Sequence, residues 1–152
     1  MAASAWQLYN SAKKYIGNGT ITLGAGVFKM VLAKASSNAS TFTISTFASV
    51  TNEIAAAGGY VAGGRNLVPA TAQWVAGASA KQMKFTQTTT GLTFTASGAN
   101  LTDIKYAIIR NSTGSGAGKL LCFCQLSSAN FTVTSPNTLT IIPAATGIFT
   151  LT

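Results

Sequence analysis

The chain has 152 residues, of which 47% are hydrophobic and only 8% charged, against roughly 25% charged residues in an average soluble domain. Eight Lys and two Arg face two acids, Glu53 and Asp103, with no His, for a formal charge of +8. This census excludes Ser-His-Asp and Cys-His triads, leaves a single carboxylate pair for acid-base work, and falls far below the ligand supply of a zinc, calcium or magnesium site.

The length suits one domain over residues 1–152 with a core of its own. From Ser4 to Ile16 the apolar groups Trp6, Tyr9, Ala12 and Ile16 recur at spacings of three and four. This spacing predicts a short amphipathic helix, capped by Ser4 and ended by a left-handed Gly17. Lys13 and Lys14 fall in its last turn, where cations suit the helix dipole.

Beyond Gly19 the period changes to two. Thr alternates with large apolar residues in Thr41–Ile44, Leu92–Thr95, Phe131–Thr134 and Thr138–Ile141, which predicts strands with one buried and one wet face. Threonine supplies both β propensity and the polarity that charges supply elsewhere. The segments Val27–Lys34, Lys81–Gln87, Ile104–Arg110, Lys119–Leu126 and Ile148–Thr152 also read as strands, with further candidates around Leu67 and Trp74. Phe47–Ala57 has a weak helical spacing. Turns are expected at Gly91 and at Ser135-Pro136-Asn137, each closing a hairpin, and at Pro143–Gly147 between the last two strands. Asn111–Gly118 reads as an exposed, mobile loop. The pattern predicts an all-β, antiparallel, sandwich-like domain with a short N-terminal helix and a strand content of at least about 40%.

Sequence motifs for ligands fail on inspection. Gly114–Lys119 suggests a phosphate-binding loop, but Thr113 stands where its first Gly belongs, Leu120 replaces the magnesium-binding hydroxyl, and a strand pattern follows instead of a helix. Gly24-Ala-Gly26 lacks the third glycine of a dinucleotide fingerprint. Cys122-Phe-Cys124 lacks the spacing of a redox or zinc pair and reads as two reduced, buried thiols. The cations are dispersed without interleaved aromatics, so no specific nucleic-acid partner is expected. No apolar run reaches the roughly 18 residues of a membrane span, and no signal-peptide pattern opens the chain. Folding in a cytoplasm, with no membrane partner, is therefore expected, and the five Asn-x-Ser/Thr sequons read as by-products of composition.

Several pieces, in order along the chain, resemble the small virion structural proteins of tailed bacteriophages. They are the Lys-containing helix ending at Tyr15-Ile16, the strand Phe28–Ala33, and Glu53 followed by Gly58-Gly59-Tyr60-Val61-Ala62-Gly63-Gly64. Ala107–Gly114, Leu120–Leu126 and Gly147–Thr152 complete the set. The resemblance implies a structural, non-enzymatic role in a virion assembled in the host cytoplasm, without cofactor. It implies other virion proteins as partners, the major capsid protein first, and a homo-oligomer or symmetric array. A capsid decoration or cement protein is the leading expectation. The alternatives are a tail, baseplate or fibre component, or a module binding a host surface glycan. Catalytic residues and metal ligands are not expected. Lys13, Lys14, Lys29 and Lys34, clustered in the first quarter of the chain, are the candidate protein-interface residues, directed at an acidic partner surface.

Overall fold

The structure is a computed structural model that describes residues 3–67 and 73–152. In chain order it contains β1 (Gln7–Leu8), α1 (Asn10–Gly17), β2 (Phe28–Lys34), a one-turn 3-10 helix at Phe47–Ser49, β3 (Arg65–Asn66), β4 (Trp74–Ala76) and β5 (Met83–Phe85). Next come β6 (Leu92–Thr95), β7 (Leu101–Asn111), a second 3-10 turn at Gly114–Gly116, β8 (Leu120–Gln125), β9 (Phe131–Val133), β10 (Thr138–Ile141) and β11 (Phe149–Leu151). Strand makes up 37% and helix 10%, which is the all-β, antiparallel fold with one short helix.

The principal sheet runs β1-β8-β7-β2-β3, with β9 pairing the start of β7. Its central strands β2, β7 and β8 carry apolar runs rather than alternation, the pattern of strands buried on both faces. Cross-strand partners share a face. Met30, Ile109 and Cys122 therefore point one way, and Val31, Ile108 and Phe123 the other. The second face is covered by α1 and the segment after β2. Tyr9 and Phe42 lie 5.1 and 5.3 Å from the Phe123 ring, and the Tyr9 hydroxyl donates to the Ala39 carbonyl at 2.6 Å.

The first face meets the sheet β11-β5-β4, where Phe28 and Phe85 are fully buried and pack edge to face at 4.9 Å. Each buried ring contributes roughly 2–3 kcal/mol, and the ring pair about 1 kcal/mol more. The β10-β6 ribbon joins this layer through the Gln87 amide, which donates to the Ile141 carbonyl at 3.0 Å. Threonine acts here as its alternation predicts. Thr93 and Thr140 are cross-strand partners whose hydroxyls hydrogen-bond at 2.8 Å on the exposed side.

Several local expectations are corrected. The helix starts at Asn10, not Ser4, because the residues before it extend the sheet. Gln7 and Leu8 pair with Phe123 and Cys122, and Ser4 exchanges bonds with Gln125, its N–H donating to the Gln125 carbonyl and its Oγ accepting from the Gln125 N–H. An otherwise open edge of β8 is thereby paired. Gly17 is the last helical residue, and the left-handed conformation falls on Gly19, at φ 75°.

Thr41–Ile44 forms turns, the Thr41 and Ile44 N–H groups donating to the Asn38 and Thr41 carbonyls, and this holds strand content slightly below the expected value. Phe47–Ala57 yields only the 3-10 turn. Glu53 bridges to Ala33 instead, and the Ile54 N–H donates to the Leu32 carbonyl. Gly91 and Ser135-Pro136-Asn137 connect strands of different sheets rather than closing hairpins, because β6 pairs with β10 and β9 with β7. The strand expected around Leu67 is seen as the two-residue β3, Arg65–Asn66, and residues 68–72 lie outside the described residues. Asn111–Gly118 is exposed at its tip but tied at its base. Ser112 bonds twice to the Val27 carbonyl, the Thr113 hydroxyl accepts the Val27 N–H, and the Asn111 carboxamide oxygen accepts the Thr113 N–H.

Candidate functional site

The Gly58–Gly64 segment places a polar latch on the sheet. The Tyr60 hydroxyl donates to Glu53 Oε1 at 2.7 Å, the same oxygen accepts the Gly63 N–H at 2.6 Å, and the Tyr60 oxygen accepts the Leu32 N–H at 3.2 Å. Arg110 donates through Nη2 and Nε to the Gly63 carbonyl, at 2.9 and 3.2 Å, with its guanidinium 4.5 Å above the Phe47 ring. Burial, reinforced by the bond to Glu53, pushes the Tyr60 phenol far above its ordinary value. Burial lowers Arg110, and the Glu53 charge opposes that shift. A phenol so raised is no base near neutral pH, and Glu53 is held by neutral donors on a tight loop. The cluster therefore fastens the loop to β2 and β7. The second acid, Asp103, lies in a bulged part of β7 and accepts from the Asn130 amide.

The buried hydroxyls and thiols give stability a definite pH dependence. Burial raises Tyr9 and Tyr60 above the ordinary tyrosine value of 10.0, and it raises Cys122 and Cys124 above the ordinary thiol value of 9.0. The unfolded chain thus releases these protons before the folded one does. Their stabilisation is complete below about pH 8 and is lost from about pH 9 for the thiols and about pH 10 for the phenols, by about 1.4 kcal/mol per pH unit for each group titrating only in the unfolded chain. Urea midpoints are expected to be level between about pH 7 and 8.5 and to fall above about pH 9, with Tyr60→Phe flattening the alkaline limb. A midpoint unchanged to about pH 11 contradicts this account.

Both cysteines are free and buried, sharing a face of β8 opposite Ile109 and Ala107. The Gly114–Lys119 segment is a 3-10 turn followed directly by β8, so it offers no helix N-terminus to a phosphate. Among the described residues there is no group of three or more His, Cys, Asp or Glu able to hold a metal ion, and no helix is long and apolar enough to cross a membrane.

The four candidate lysines divide. Lys13 and Lys14 are exposed on α1, and Lys29 lies opposite Arg110 at the start of β2. Lys34 ends the same strand, about 17 Å away at the rise of an extended strand, beside Asp103, whose carbonyl accepts the Ala35 N–H. In its place the fold brings up two cations that sequence reasoning passed over. Arg110 sits above Phe47, and Lys119 lies 5.1 Å from the Tyr15 ring centre. Thr46 bridges to Lys119 and the Phe47 N–H donates to the Gly118 carbonyl, so the two cation-aromatic pairs adjoin. The β signal around Arg110 and Lys119 was visible in the sequence, but strand register was not.

A separate groove of about 630 Å³ opens between the N-terminal segment, β10 and β11, with Trp6, Leu126, Ile142 and Phe149 on its walls. Among the described residues no Trp or Tyr is exposed: Tyr9, Tyr60 and Tyr106 are buried, and Trp6, Tyr15 and Trp74 are half-buried.

No family model, curated protein or solved structure matches the chain.

Proposed function

We propose that this chain is a non-enzymatic structural component of a tailed-bacteriophage particle, acting as a capsid decoration or cement protein through protein-protein interfaces. The observation that carries the reading is the use made of Glu53. Glu53 and the Gly58–Gly64 segment, which hold the most specific part of the resemblance to small virion proteins, form a latch in which the carboxylate binds a phenol and a backbone N–H. The chain's scarce acidic chemistry thus serves the framework, leaving a Thr- and Lys-bearing surface for contact. Few charges lower the desolvation cost of broad contacts, and threonine hydroxyls can hydrogen-bond across them. A glycan-binding module usually presents exposed aromatic platforms, whereas the Trp and Tyr rings here are at most half-exposed.

Counting copies tests the reading. Purified particles of the phage encoding the chain are expected to contain it in hundreds of copies, in fixed ratio to the major capsid protein, by quantitative mass spectrometry. A handful per particle assigns it to baseplate, fibre or connector, and none removes it from the virion.

A further inference from the structure

The strongest unassigned feature is a row of cations interleaved with aromatic rings across one end of the principal sheet. Lys29 and Arg110 are cross-strand partners on one face. Arg110 covers Phe47, the bridge at Thr46 leads to Lys119, and Lys119 covers Tyr15. Lys14, next to Tyr15, is exposed in the last turn of α1. Glu53 is the acid on this side, and it is engaged by Tyr60 and Gly63. Asp103 lies towards the opposite end of β7, bound to Asn130.

We propose that the band formed by Lys14, Lys119, Arg110 and Lys29 is a docking surface for an acidic protein face. This proposal rests on the structural reading above and names the chemistry of the partner. A cation lying over an aromatic face is held in place and already partly desolvated, which reduces the ordering cost of pairing it with a carboxylate. Arg110 is further fixed by its two bonds to the Gly63 carbonyl. Single-stranded nucleic acid would need open ring faces on which bases stack. Here Phe47 and Tyr15 are half-buried and each has a cation over its ring. Fixed positive points over rings that are already covered suit carboxylates on a protein.

The test uses the full chain with two probes of equal charge, a polyglutamate peptide and oligo-dT, at low salt. A band triple, Lys14→Glu, Lys29→Glu and Lys119→Glu, is compared with a control triple of equal net charge, Lys34→Glu, Lys81→Glu and Lys105→Glu. Arg110 is left intact because it holds the latch. Wild type is expected to bind polyglutamate more tightly than oligo-dT. The band triple should lose about thirtyfold in affinity for polyglutamate and the control less than about threefold. If the band triple fails to fold, the corresponding Lys→Gln triples are compared, with the same order expected. Equal losses in band and control, tighter binding of oligo-dT, or no wild-type binding to polyglutamate overturns the proposal. These outcomes do not depend on the particle count, so either reading can fail alone.

Discussion

Gly64→Ala is expected to destabilise the fold by about 4 kcal/mol or more, where Gly98→Ala costs about 1 kcal/mol. Both glycines have left-handed backbone, with φ of 80° and 75°, so the conformational penalty of a side chain is nearly the same. Their surroundings differ. A Cβ on Gly98 would meet nothing within 4 Å, whereas on Gly64 it would stand 2.1 Å from the Met30 carbonyl oxygen and 2.7 Å from its carbon. That obstacle is backbone in a central strand. Met30 pairs with Arg65 on one side and Ile109 on the other, so it cannot yield without breaking the ladder. Relief must come by lifting the loop, which separates Arg65 from β2 and pulls Gly63 from Glu53 and Arg110. Guanidinium unfolding midpoints of the two variants measure the difference. Equal midpoints would mean that the loop does not seat against β2 as described.

The fold was legible where burial alone sets the residue pattern. The runs Met30-Val-Leu-Ala33, Ala107-Ile-Ile109 and Leu120-Leu-Cys-Phe-Cys124 mark strands covered on both faces, and the threonine alternations of β6, β9 and β10 mark strands with one wet face. Thr41–Ile44 misled because its periodicity has another cause. Phe42 is directed onto Phe123 while the backbone makes turns, and alternation reports a side-chain direction, not a hydrogen-bonding partner. The N-terminal helix is shorter than its spacing predicts for the converse reason. Gln7 and Leu8 suit either state locally, and the open edge of β8 decides for strand. The cation band was illegible as a unit. It needs the register that sets Lys29 against Arg110 and the bridge that brings Lys119 beside Phe47, both long-range facts. Lys34 and Lys29 are near in sequence, but an extended strand carries such neighbours far apart in space.

The second large effect concerns the particle. A standard protein-protein interface removes roughly 1,600 Å² from water, and symmetry repeats a modest contact many times over a shell. If the chain acts as cement, its removal leaves assembly geometry intact and lowers resistance to internal pressure. The most direct measurement heats complete and depleted particles side by side and follows DNA release with an intercalating dye. Depleted particles are predicted to release DNA several degrees lower, and purified protein added back should restore the original temperature. Identical release temperatures, together with lost adsorption to host cells, would contradict the cement role and place the protein in the tail or among receptor-binding components.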